Sequence, residues 1–132
     1  MEDFIKRVIV GNGITPPEIC VKGFSENFID AINIEWFDRK EYFEAIFYKD
    51  NIEHIASFRK NGSLIGYKSF LTGNYLPEAI KLLSQEMGEI MNVVLINKGN
   101  SIEYEVIIRD NKLKRHLYLY SNTGALIEQK EL

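Results

Sequence analysis

Two stretches of the chain, residues 42–48 and 103–109, show an apolar residue at every second position. This period of two is typical of a β-strand that is buried on one side. The residues expected on the buried side are Phe43, Ala45 and Phe47 in the first stretch and Tyr104, Val106 and Ile108 in the second. The positions between them, which include Glu44 and Glu105, are expected to point the opposite way.

Apolar residues at helical spacing predict two helices. Thr15 can cap the first helix, with Glu18 three residues later completing a capping box. Pro77 opens the second helix, which ends at Gly88. The expected buried stripes are Ile19, Cys20, Phe24 and Phe28 in the first helix and Ile80, Leu83 and Met87 in the second.

The chain also repeats itself with a period of about sixty residues. Pro17-Glu18 matches Pro77-Glu78, and Phe43–Phe47 matches Tyr104–Ile108. Further matches follow in the same order, which indicates an internal duplication with units at residues 15–70 and 75–130 and a joint at residues 71–74.

Each unit reads as one helix followed by four strands, because turn signals such as Asn61-Gly62 and Thr123-Gly124 separate the apolar runs. Short turns join antiparallel neighbours. We therefore expect an α+β fold in a single domain, residues 1–132, with one antiparallel sheet of about eight strands and both helices on one face. The expected core is Phe24, Phe28, Ile34, Phe43, Phe47, Ile80, Leu83, Tyr104, Val106 and Ile108.

The order of these motifs resembles the PepSY-like domains, which share the fold of the beta-lactamase inhibitor protein. The resemblance rests on the helix that begins at a proline, Asn33–Trp36, Phe43–Phe47 and the stretch from Phe58 to Leu64. The helix, the Phe43–Phe47 strand and the last stretch recur in the second unit, which has no tryptophan. It implies a non-catalytic binding or inhibitory module, with no catalytic residues. It also implies a periplasmic or secreted protein if the chain is a mature form, whereas a native start at Met1 implies a cytoplasmic one.

The composition of the chain limits the classes of molecule that it is expected to bind. The 132 residues carry a net charge of −3, and neither half of the chain is polarised, so there is no electrostatic footprint for a nucleic acid. The longest apolar run, Val93–Ile96, is far shorter than the ~20 residues of a membrane span. The single cysteine, Cys20, cannot form an internal disulfide. The partner that the resemblance implies is a protein, which the sequence does not identify, and the oligomeric state stays open.

The side chains capable of chemistry favour structural roles, so we predict no cofactor and no metal. Cys20 lies on an apolar helix stripe and is expected in the core. His54 and His116 have no neighbouring histidine or cysteine at metal-ligand spacing. Glu44 and Glu105 suit cross-strand pairing with basic residues better than catalysis. Gly11–Gly13 is expected to be a turn and Lys112–His116 a solvated hairpin.

The remaining candidate site is the side of the sheet opposite the helices. Its apolar residues, interspersed with charges, are typical of a protein-binding face. The candidate residues are Glu44, Ile46, Tyr48, Glu105, Ile107 and Arg109. Residues 1–13 are an alternative cover for this face. Ile55 and Leu117 are ambiguous members, since His54, Ala56 and Phe58 compete for the core.

A second function class stays open beside the protein-binding module. A small-molecule or lipid carrier would use a cavity between the helices and the sheet, and the abundance of aromatic residues is the one feature that points to it.

Overall fold

The computed structural model describes residues 13–132. Within these residues it contains two helices and eight strands, and the strands are hydrogen-bonded in sequence order as one antiparallel sheet, which confirms the predicted α+β class. The elements are α1 (Glu18–Asn27), β1 (Ile32–Asp38), β2 (Phe43–Lys49), β3 (Ile52–Phe58), β4 (Leu64–Leu71), a short 3-10 turn (Gly73–Tyr75), α2 (Glu78–Met87), β5 (Glu89–Asn97), β6 (Ile102–Arg109), β7 (Arg115–Ser121) and β8 (Leu126–Glu131).

The chain divides into two compact units, with unit 1 ending at Tyr67 and unit 2 beginning at Lys68. Each unit has the predicted order of one helix and then strands, and β4 contains the point of division. The single domain over residues 1–132 and the repeat boundaries at 15–70 and 75–130 stay predictions.

Both helices begin directly after a proline. Pro17 and Pro77 hold extended backbone angles at the N-cap positions, and neither helix has a side-chain cap hydrogen bond. The predicted capping box between Thr15 and Glu18 is therefore wrong. A cap at Thr15 requires helical angles at Pro16, and Pro17 disfavours them in the residue before it, so the helix begins later, at Glu18.

The core of unit 1 lies between α1 and the strands. Phe24 and Phe28 are one helical turn apart, and both rings pack on Phe47, with centroids 4.9 and 4.8 Å away. Phe47 is fully buried, as its place in the alternating stretch of β2 predicts. The buried residues of this core are Cys20, Phe24, Phe28, Trp36, Ala45, Phe47, Ala56 and Phe58.

The core of unit 2 is less aromatic and centres on α2 and β6. Ile80 and Ser84, four residues apart on α2, are fully buried. Tyr120 is almost fully buried, and its hydroxyl points to the Met87 sulfur at 4.0 Å. The clustered buried residues are Leu76, Ile80, Val93, Val106, Ile108, Tyr118 and Tyr120.

Six predicted core residues are confirmed: Phe24, Phe28, Phe47, Ile80, Val106 and Ile108. Phe43 and Tyr104 are half-buried and pack against the cores.

Two predicted core residues are wrong. Ile34 is 41% exposed, because a bulge next to Asn33, whose φ is 53°, ends the regular pairing of β1 and leaves Trp36 as its buried residue. Leu83 is 39% exposed, because α2 presents Ile80 and Ser84 to the sheet and leaves Leu83 at the margin of that stripe. The stripe residues Ile19 of α1 and Met87 of α2 are also exposed, because each lies at the margin of the helix side that is buried.

Candidate functional site

The open face of unit 1 is the side of β1, β2 and β3 that points away from α1. Ile46 lies directly opposite Glu35 of β1 and Ile55 of β3, and residues opposite one another in antiparallel strands share a face. Ala56 and Phe58 are buried on the other side. The ambiguity in β3 is thus resolved, and Ile55 belongs to the open face.

The negative charge of Glu44 is compensated by the guanidinium of Arg39. The Arg39 guanidinium donates two hydrogen bonds to Glu44 Oε1, at 3.1 Å from Nε and 2.8 Å from Nη2. The same guanidinium lies over the Phe37 ring, 4.9 Å from its centroid. Because Phe37 is opposite Glu44 in the register, these three side chains form one rim of the open face.

Tyr48 is the most accessible of the six candidates, at 39% exposure. Its hydroxyl donates to Glu53 Oε2 at 3.2 Å. The ring stands beside a shallow depression of about 290 Å³. The residues lining the depression are Asn33, Ile34, Glu35, Ile46, Tyr48 and Glu53.

The open face of unit 2 follows the same register logic. Ile107 lies opposite Asn92 of β5 and Leu117 of β7, which places Leu117 on this face. Arg109 donates to both carboxylate oxygens of Glu89, at 2.9 and 3.2 Å. Among residues 13–132, Glu105 has no ion-pair partner.

One position shows that the face of unit 2 is partly covered. Val94 lies opposite Glu105 but is only 6% exposed. Ile107 is half-buried on the same face. Ile46 and Ile55 of unit 1 are half-buried as well, so the greater accessibility of the face of unit 1 rests on Tyr48, which is 39% exposed.

The structure groups the six candidates by unit. Glu44, Ile46 and Tyr48 share one face of β2 in unit 1, and Glu105, Ile107 and Arg109 share one face of β6 in unit 2. Their role in binding stays a prediction. Two of their charges, on Glu44 and Arg109, are already compensated within the chain, so they shape the rim more than they attract a partner over distance.

The cysteine is a core residue, as predicted. Cys20 is fully buried, and its Sγ donates to the Arg59 carbonyl oxygen at 3.5 Å. Burial raises the pKa of the Cys20 thiol above its usual value. The thiolate needed for nucleophilic or redox chemistry is therefore disfavoured.

The two histidines have different surroundings. The His54 ring stacks on Phe47 at 5.2 Å with 18° between the planes. His116 Nε2 lies 2.8 Å from Asp110 Oδ2. Residues 13–132 hold no group of three or more histidine, cysteine, aspartate or glutamate side chains able to bind a metal ion.

We expect His54 to make stability depend on pH. Its pKa is lowered, chiefly by burial against Phe47, with Lys49 and Asp50 as the nearby charges. The unfolded state then takes up a proton first, so stability falls as pH drops from about 6.5 towards the folded pKa. Relative to His54→Gln, the wild type should lose melting temperature between about pH 7.5 and 5.5. An unchanged difference between the two proteins across this range would mean that His54 titrates normally.

The basic run Lys112–His116 forms the hairpin expected of it, since residues 112–114 are exposed between β6 and β7 and Arg115 begins β7. Of the predicted turn at Gly11–Gly13, only Gly13 is among the described residues, with a φ of 49°. Among residues 13–132, neither helix has the length and apolar character that crossing a membrane requires.

The aromatic residues that suggested a carrier fill the space between α1 and the sheet. Besides the depression next to Tyr48, two further open clefts lie at the margins of unit 1 among the described residues. One, of about 400 Å³, includes Phe28, His54 and Tyr67 in its walls. The other, of about 350 Å³, runs beside Ile34 and Trp36.

Comparison with known proteins finds a shared fold but little similarity in sequence. No protein-family model matches the chain, and no curated protein matches it. A solved structure of a BLIP-like protein from Bacteroides fragilis is 21% identical, covers 90% of this chain and 88% of that chain, and gives a TM-score of 0.78. A DUF2874 family protein from Bacteroides uniformis is 15% identical, covers 89% of this chain and 90% of that chain, and gives a TM-score of 0.77.

This chain has the BLIP-like fold. The resemblance to the beta-lactamase inhibitor protein fold, expected from the order of the motifs, is confirmed at this level. The narrower relation to PepSY-like domains stays a prediction. At these identities the likeness defines the fold, while the role of the faces has to come from the residues themselves.

Proposed function

We propose that the chain is a non-enzymatic, inhibitor-like module that binds a protein partner through the open face of its sheet. The observation that carries the proposal is the apolar centre of the open face in unit 1. Ile46, Ile55 and Tyr48 lie there on the side of the sheet that the helix leaves uncovered. The likeness to a BLIP-like protein supports the same role.

The rim of the open face in unit 1 is suited to selecting between protein partners. Phe37, Arg39 and Glu44 hold one another in place, so the rim meets a partner already organised. Buried apolar anchors at the centre of an interface generally provide most of the affinity, while rim charges govern partner choice and association rate. The preferred partner is therefore a protein with an apolar surface patch that fits Ile46 and Tyr48.

We expect Ile46→Asp to weaken capture of the partner from source-cell extract by about 30-fold or more, because a charge is buried in the apolar centre. Ile107→Asp tests the face of unit 2 in the same way. Ile29→Asp is the matched control, since Ile29 is 66% exposed in the turn after α1 and away from the open face.

Circular dichroism and thermal melting of the three variants separate binding from folding. A folded Ile46→Asp protein that captures the partner as well as wild type contradicts the proposal. Native mass spectrometry tests the carrier alternative, because a co-purifying molecule of a few hundred daltons in the clefts of unit 1 would favour that class.

A further inference from the structure

Three turns within residues 13–132 share one hydrogen-bond pattern. In each, the first residue's N–H donates to the carbonyl of the fifth, and the fourth residue's N–H donates to the carbonyl of the first. The turns are Arg59–Ser63 (2.8 and 2.9 Å), Asp110–Lys114 (2.8 and 3.0 Å) and Ser121–Ala125 (2.8 and 3.0 Å). The fourth residue has a positive φ in all three.

The residue at this fourth position differs in one turn. It is Gly62, with a φ of 90°, and Gly124, with a φ of 95°, but in the β6–β7 turn it is Leu113, with a φ of 63°. A side chain with Cβ is disfavoured in this left-handed region, and glycine is the residue that adopts it readily. Leu113 therefore departs from the local rule that the other two turns obey.

The leucine side chain at position 113 does not add to the buried core. Leu113 is 73% exposed, the highest value among the exposed large hydrophobic side chains of residues 13–132. A strained residue that buries no apolar surface is a candidate for a functional role, because such strain persists mainly at binding and catalytic sites.

The tip that presents Leu113 is rigidly held. Asp110 Oδ1 accepts hydrogen bonds from the N–H groups of Lys112 and Lys114, at 2.8 and 3.0 Å, and Asp110 Oδ2 pairs with His116. The hydrogen bond from His116 and those from the backbone lower the pKa of Asp110, so the clamp keeps its charge at neutral pH. Rigid presentation reduces the entropy lost on binding.

Cations surround the apolar tip. Lys112, Lys114 and Arg115 are exposed, and among residues 13–132 their one ion pair, between Lys114 Nζ and Glu131, is long at 3.6 Å. The carboxylates of Asp110 and Glu131 offset part of this charge, while Lys112 and Arg115 leave an excess of positive charge near the exposed leucine. This combination is complementary to an apolar pocket edged by carboxylates.

We propose that the β6–β7 hairpin inserts Leu113 into an apolar pocket, rimmed by carboxylates, on a protein partner. This contact goes beyond the open-face proposal, since it uses the tip of a turn and not the face of a strand. A protein pocket suits the tip better than an anionic membrane, because one leucine buries little in a bilayer and the whole chain carries a net charge of −3.

The test places a diazirine-bearing leucine analogue at position 113 and, as a matched control, at position 126, where Leu126 is 49% exposed in the same unit. Each full-length protein is photo-cross-linked in source-cell extract, and the cross-linked peptides are sequenced. We expect a single protein, joined through position 113 to a segment containing both apolar and acidic residues. Lys112→Glu combined with Lys114→Glu should lower the yield at least tenfold, and added salt should lower it as well.

Leu113→Gly separates function from folding. The identified partner should bind Leu113→Gly about 30-fold more weakly than wild type, while the melting temperature of the variant is no lower. Equal binding by Leu113→Gly, equal cross-linking at the two positions, or no cross-linked protein at position 113 overturns the proposal. Binding of wild type, but not Leu113→Gly, to phosphatidylserine–phosphatidylcholine vesicles would assign the tip to a membrane and overturn it too. Ile46→Asp run in parallel shows whether the open-face proposal stands or fails independently.

Discussion

Replacement of Phe47 by alanine should lower the free energy of unfolding by about 3–5 kcal/mol. The side chain is fully buried, and its ring touches three other rings, those of Phe24, Phe28 and His54, at 4.8 to 5.2 Å. Its removal leaves a cavity that these rings cannot close without giving up their own contacts. Urea denaturation monitored by tryptophan fluorescence measures the loss, since Trp36 lies in the same core.

Ile34→Ala is the matched control for this prediction. Ile34 was expected in the same core, but at 41% exposure its truncation should lower the free energy of unfolding by only about 1 kcal/mol. A loss below about 1 kcal/mol for Phe47→Ala, or an equal loss for both variants, would contradict the assignment of faces in β1 and β2.

The two alternating stretches show why much of the fold was predictable from sequence. A period of two in β2 and β6 admits only one division into buried and open sides, so Phe47, Val106 and Ile108 were placed correctly. Ile34 shows the limit, because one bulged residue at Asn33 interrupts the regular alternation of β1 and nothing in the composition announces it. Leu83 shows a second limit, because helical spacing identifies an apolar stripe but does not tell which of its residues lie at the centre of the contact with the sheet.

The candidate faces were predictable in outline but not in their electrostatics. The alternation of β2 places Glu44 on the open side, yet the clamp by Arg39 depends on a turn conformation that the sequence does not specify. Leu113 lies inside a basic run, which by itself predicts only a solvated hairpin. The signal existed, since aligning the three turns puts it in register with Gly62 and Gly124, but its meaning required the φ angles.

The β3–β4 turn, one of the three aligned turns, is expected to tolerate no side chain at Gly62. Gly62→Ala should lower the free energy of unfolding by about 3 kcal/mol or more. A Cβ at Gly62 is disfavoured by its φ of 90° and would also overlap the carbonyl oxygen of Ile19 in α1. A Cβ at Gly23, on the same helix, would likewise overlap the carbonyl oxygen of Gly62. The substitution therefore pushes α1 away from the β3–β4 turn and from the core beneath it.

Gly124→Ala isolates the backbone contribution to that loss. Gly124 has nearly the same φ, 95°, but its nearest neighbours to a new Cβ are side-chain atoms of Ala79 and Ile80 at 4.0 Å. Only conformational strain remains, and we expect a loss of about 1–2 kcal/mol. The difference between the two variants in urea denaturation measures the close approach of α1 to its turn. Equal losses would mean that the helix yields freely there, and that the turn, not the helix contact, requires glycine.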